Sequence, residues 1–148
     1  MLEDFILSNK LDSTIIVFPT NTSTDGLISS KKLPASITVN VRIFNNKANE
    51  PIITVTPHNS ELNFNILKSI LVTDELLELD TFETVDITGY KKDFIPTISV
   101  FGVKIIIDSS LEQKEVLFCR VGEKKFLKTS MKSILDTNDD LVFENIIK

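Results

Sequence analysis

The chain is poor in the residues from which active sites are usually assembled. Its 148 residues include no Trp, one His, one Cys, two Arg and four Gly. With only His58 and Cys119 available, a structural zinc site of three or four imidazole or thiolate ligands cannot form within one chain. Glycine occurs only at positions 26, 89, 102 and 122, so no glycine-rich loop can cradle a phosphate. No Gly-flanked serine supplies a nucleophile elbow. A single cysteine excludes an intrachain disulfide, which makes a reducing compartment the simpler expectation. Its setting in the apolar run Val116-Leu117-Phe118-Cys119 marks a buried structural thiol. No apolar run approaches the roughly 20 residues of a membrane span. The opening Met1-Leu2-Glu3-Asp4-Phe5 carries acids where a secretory signal carries positive charge.

What is present suits a globular β-rich domain. Hydrophobic residues make up 42% of the chain and charged ones 25%, enough apolar surface for a core and too little charge imbalance for disorder. The net charge is −5 and the isoelectric point near 4.9. Lys31 and Lys32, Lys91 and Lys92, and Lys124, Lys125 and Lys128 are the only basic clusters. They are scattered along the sequence and read as solubilising surface and edge-strand protection, so nucleic acid is an unlikely partner. Ile, Asn, Lys and Phe are abundant and Ala, Arg and Gly scarce, as expected of an AT-rich coding source such as a bacteriophage, a large virus or a low-GC bacterium.

Periodicity divides the chain into short elements. Leu2, Phe5 and Ile6 have helical spacing, and Ile15 to Phe18 reads as a buried strand ended by Pro19. Residues 20–34 lack periodicity and read as a long polar loop or arm, with Leu27, Ile28 and Leu33 as anchors for a partner. Ser36 to Phe44 alternates cleanly, and with Ile52 to Thr56 it predicts a hairpin. Thr73 to Leu79 has the pattern of an N-capped helical turn, whereas Thr84 to Thr88 reads as strand. Ile105-Ile106-Ile107 is expected to be central, and Gly122-Glu123-Lys124 to join a second hairpin. At the end, Ser130 caps a short helix containing Met131 and Ile134. Val142 with Ile146, and Phe143 with Ile147, form i,i+4 pairs that predict a docking helix over 139–148.

These signals add up to one mainly β domain over 1–148, α+β at its margins. The expected form is an antiparallel β-sandwich or partly rolled barrel with short N- and C-terminal helices. Chemistry finds few footholds. His58 sits in a turn, and Ile105-Ile106-Ile107-Asp108-Ser109-Ser110 resembles the turn of aspartic proteases except that Ser110 stands where that turn has Gly. As local structure it is a strand ending in a turn. The acidic groups at 74–80 and 136–140 lack calcium-loop spacing.

The expectation is therefore a non-enzymatic component of a larger assembly, a bacteriophage or viral virion protein located in the virion or cytoplasm. It would bind protein partners or copies of itself through Leu27, Ile28, Leu33, Val142, Phe143, Ile146 and Ile147, with no cofactor, catalytic residue or membrane contact. The alternatives are an acidic regulatory or inhibitory binding protein, and a small enzyme using Asp108 or His58 in a subunit-shared site.

Overall fold

The alternation centred on Val39, Val41 and Ile43 builds the strand on which the molecule is organised. The computed structural model describes residues 1–148. Helix α1 (Leu2–Ser8) leads into β1 (Ser13–Val17), followed by α2 (Thr24–Ser29), β2 (Thr38–Asn46) and β3 (Pro51–Pro57). Then come α3 (Phe64–Leu71), β4 (Leu76–Glu78), α4 (Thr81–Thr88) and β5 (Lys104–Asp108). The chain finishes with β6 (Val116–Arg120), β7 (Lys125–Ser130), α5 (Met131–Thr137) and β8 (Leu141–Glu144).

All eight strands belong to one sheet, ordered β1-β7-β6-β2-β3-β5-β8, with β4 paired to β2 off this path. The predicted hairpins form, Asn45 opposite Pro51 in one and Arg120 opposite Phe126 in the other. The sheet is mixed, however. β2 with β6, β3 with β5, and β5 with β8 are parallel, which corrects the expected antiparallel sandwich or rolled barrel to a mixed α+β architecture. The physical reason is that alternation reports which face a side chain occupies and carries nothing about the direction of the neighbouring strand.

Three segments differ from their sequence pattern. Thr84 to Thr88 is helical because Asp80 caps α4. The Asp80 carboxylate accepts from the Glu83 N–H at 2.8 Å, and the Glu83 carboxylate accepts in return from the Asp80 N–H at 3.3 Å. The Thr84 and Thr88 hydroxyls donate to carbonyls four residues back at 2.7 Å, so residues that suggested a strand are satisfied inside the helix. Gly89 then ends α4 in the left-handed region at φ +80°. Conversely, Leu76–Glu78, read as helix, is drawn into the sheet by pairing with Phe44–Asn46.

The C-terminal docking helix is replaced by β8, whose residues 141–144 lie parallel to residues 105–108 of β5. Ile146 is fully buried in a cluster with Phe44, Ile52, Leu62, Leu67 and Ile106. Its N–H donates to the Asp108 carboxylate at 3.0 Å. Spacing of four places two side chains on one face of a strand as readily as on one face of a helix, and the open edge of β5 decides the outcome.

The polar arm of 20–34 also has structure. Ser23 caps α2, and Leu27 and Leu33 enclose Phe126 in a small core flanked by Phe18 and Phe118. The main core lies between the sheet and α1 and α5, with Ile43, Val55, Ile107, Leu117 and Ile134 among its fully buried members.

Candidate functional site

The sheet opens in the middle of β2. On one side of that strand β6 pairs only with Thr38 and Val39, while β4 pairs only with Phe44, Asn45 and Asn46. Between them residues 40–43 have no strand neighbour on that edge. The Thr38 carbonyl accepts from His58 N–H at 2.9 Å on the β3 side, and the Ile43 carbonyl accepts from Leu79 N–H at 3.1 Å on the β4 side. Alternation therefore turns the N–H and C=O of Val41 into the gap. The gap is a pocket of about 340 Å³, at the small end of the range for ligand sites.

Its walls are mainly polar. Arg42 and Glu78 close one side through a two-point ion pair with bonds of 3.0 and 2.8 Å. The hydrogen bonds from Arg42 hold the Glu78 carboxyl below its usual range, and the same bonds raise the guanidinium pKa of Arg42. Arg42 also lies over the rings of Phe44 and Phe64, at 5.0 and 5.8 Å. Its charge is thus fully engaged.

Arg120, at the end of β6, is in the opposite condition. It donates to the carbonyls of Thr22 and Glu123 and lies 4.8 Å over Phe126, but forms no ion pair with any carboxylate. Its buried Nε–H has no partner, and burial lowers its pKa. Lys92 and Asp93, on the turn after α4, also line the pocket, and neither takes part in an ion pair. Cys119 lies beneath with its thiol buried, and burial pushes its pKa up to about 11, far from a nucleophilic thiolate at neutral pH.

A second polar unit borders the pocket. His58 bridges two elements, with Nδ1 2.7 Å from Asn40 Oδ1 and Nε2 2.8 Å from Asp25 Oδ1. The Asn40 amide nitrogen donates to the His58 carbonyl at 3.1 Å, which fixes the orientation of its amide. Asp25 belongs to α2, whose Thr24 lines the pocket, so His58 ties that helix to the floor strand. Both ring nitrogens are occupied, which makes His58 a positioning group.

The residues expected to bind partners fall in two parts of the fold, some buried and some half-buried. Leu27 and Leu33 are each 2% exposed, and Ile28 is half-buried beside them. Val142 and Phe143 are half-buried in β8, Ile146 is buried, and Ile147 bridges to Leu62. The structure places these two groups in separate clusters. Asp108 is 1% exposed, its carboxylate used by Ile146 N–H, Ser110 N–H and the Ser110 hydroxyl. It is a strand-end fastener. Sequence reasoning missed Arg42, Glu78, Lys92 and Arg120. One signal was present, since the only two arginines of the chain both line this pocket.

The protein is thus a mixed-sheet α+β domain with a charged pocket where the sheet divides. The aminoacyl-tRNA editing domain family is matched over residues 19–130, about three quarters of the chain and all of the pocket. The chain belongs to that family. Among solved structures it is similar to the hypothetical protein APE2540, at 18% identity, TM-score 0.81 and 99% coverage of both chains. It is also similar to a candidate trans-editing enzyme for prolyl-tRNA synthetase, at 10% identity, TM-score 0.82, covering 99% of this chain and 94% of that one. At these identities the likeness is one of fold. No curated protein sequence matches the chain.

Family membership overturns three expectations. The chain is not a virion structural protein, it falls in a family of hydrolytic editing enzymes, and a family built around aminoacyl-tRNA conflicts with the view that nucleic acid is an unlikely partner. Scattered lysines and a negative net charge misled because net charge averages over the whole surface, whereas recognition depends on local charge. No helix is long and apolar enough to cross a membrane.

Proposed function

We propose that the protein is an aminoacyl-tRNA deacylase, hydrolysing the ester between an amino acid and the terminal ribose of a tRNA. The observation that supports this reading is the pocket at the divided sheet, where a backbone N–H and two cations outside any close ion pair line one small cavity. A water oxygen bonds to the ester carbonyl carbon, and the bond from that carbon to the ribose oxygen breaks. The ribose oxygen takes one of the water's two protons, the other passes to solvent, and the amino acid leaves as its carboxylate.

Negative charge develops on the carbonyl oxygen in the transition state, where Arg120, Lys92 and the Val41 N–H supply preorganised positive potential. Asp93 is the complementary group for the substrate's α-ammonium. Val39, Val41 and Ile95 provide the apolar wall for a small side chain. Glu78 stays a bound carboxylate and holds Arg42. His58 keeps α2 and Asn40 in place.

The test is incubation of the purified chain with a panel of tRNAs carrying labelled amino acids, correct and incorrect. Release of amino acid faster than spontaneous hydrolysis for at least one pair, abolished in Lys92→Ala/Arg120→Gln, supports the reading. Release at the uncatalysed rate across the panel overturns it.

A further inference from the structure

Two lysine clusters that are far apart in sequence meet beside the pocket. Lys91, Lys124 and Lys125 line an adjoining open groove of about 600 Å³, together with Tyr90 and Phe94. Lys91 follows α4, whereas Lys124 ends the β6–β7 turn and Lys125 opens β7. Groove and pocket share two walls. The segment 91–95 gives Lys91 and Phe94 to the groove and Lys92, Asp93 and Ile95 to the pocket. The end of β6 gives Arg120 to the pocket and Val121 to the groove.

Cations outside any ion pair gather on this face. Only Lys47, Lys104, Lys132 and Lys148 among the fourteen lysines are paired with a carboxylate, and four of the ten others stand here. None of Lys91, Lys92, Lys124, Lys125 or Arg120 forms an ion pair, although Glu123 and Asp93 lie on the same walls. Five cations against two carboxylates leave a net positive strip on a chain whose total charge is −5. Two half-buried aromatic rings, Tyr90 and Phe94, lie along it. Unpaired cations that follow a groove, interleaved with aromatic faces, are what a single-stranded polynucleotide requires, the phosphates meeting the cations and the bases stacking on the rings.

We propose that this groove is the track for the unpaired 3′ end of the tRNA. Lys91, Lys124 and Lys125 contact successive phosphates and Phe94 and Tyr90 take the bases. The strand is thereby led past Lys92 and Arg120, so that the esterified ribose arrives at the Val41 gap. The assignment rests on the deacylase reading for what lies at the end of the track, but the groove's affinity for RNA is measurable by itself.

The experiment compares the full chain with Lys91→Ala/Lys124→Ala/Lys125→Ala and with a control of equal charge change, Lys47→Ala/Lys132→Ala/Lys148→Ala. Binding of a fluorescent tRNA, and of a single-stranded oligonucleotide with the same 3′ sequence, is followed by anisotropy across a salt series. Loss of three phosphate contacts should weaken both complexes at least tenfold and reduce the slope of log K against log salt by about 2. The control should match the native protein. Hydrolysis of a small amino-acid ester should survive in the groove variant while hydrolysis of aminoacyl-tRNA falls.

Equal weakening by both triple variants, no change in the groove variant, or no binding of RNA by the native protein at low salt would each overturn the track. Native RNA binding lost in the groove variant, with no hydrolysis of either substrate by the native protein, would retain the track and remove the deacylase reading.

Discussion

Glu78 accepts from Nε and Nη2 on one guanidinium edge of Arg42 across the junction of β4 and β2, with oxygen to nitrogen distances of 3.0 and 2.8 Å. This pair neutralises one of the two arginines at the pocket and leaves Arg120 as the guanidinium with charge to spare. It also fastens the short β4, which has only three residues, to the strand whose free edge forms the pocket floor.

Glu78→Gln should therefore cost about 0.5–1 kcal/mol at neutral pH, since the pair is partly exposed and screened by solvent. Arg42 holds the folded-state pKa of Glu78 below its ordinary 4.5, so the pair's contribution is complete above that value and disappears as pH falls through the lower folded-state value. Urea unfolding of both proteins between pH 7 and 3 should show the gap closing on the acid side.

Arg120→Gln should lower kcat/KM for aminoacyl-tRNA by about 10²-fold, the typical effect of removing one preorganised donor from a developing oxyanion. Arg120→Lys should recover part of it. Circular dichroism of both variants should match the native spectrum, and deacylation rates at fixed salt make the comparison.

Leu27→Ala should act on stability. With Leu27 closed against Phe126 and Leu33, the truncation should cost about 2–4 kcal/mol, read from chemical unfolding, and should leave the mass in solution unchanged. A shift in oligomeric state at native stability would instead support a partner-binding role for this arm.

Cys119 should be silent toward thiol reagents in the native protein at pH 8 and react fully once unfolded. Burial raises its pKa from 9.0 to about 11, so the folded chain keeps a proton that the unfolded chain releases. Its effect on stability is absent below pH 9.0 and becomes unfavourable as pH rises from there. Relative to Cys119→Ala, the native protein should lose stability over that alkaline interval.

Val72 closes α3 at φ +51°, a left-handed conformation that a β-branched side chain adopts under strain. Its side chain is 91% exposed, so no packing compensates. Val72→Gly should raise stability by about 1 kcal/mol, visible as a higher unfolding midpoint with an unchanged denaturant slope.

The residues themselves explain which of these features could be read in advance. The β2–β3 hairpin was legible because Val39, Val41 and Ile43 alternate between turn-forming segments, and α5 because Ser130 precedes an apolar helical spacing. The α4 capping box was also written in Asp80 and Glu83 but was masked by the alternation of Thr84 to Thr88. The pocket was not legible in the same way. Arg42 and Glu78 are 36 residues apart, and Arg120 meets the carbonyl of Thr22 across 98.

Local patterns by themselves determined that the chain would be β-rich, that Cys119 would be a buried thiol, and where most strands and turns would fall. These properties follow from steric and hydrophobic periodicities that span a few residues. Tertiary structure alone decided that β2 would lose its neighbour between Thr38–Val39 and Phe44–Asn46, that Val142 to Ile147 would complete a sheet rather than present a helix, and that Lys91 would meet Lys124 and Lys125. Each depends on which distant segment arrives at an open edge, and that is set by the packing of the whole sheet.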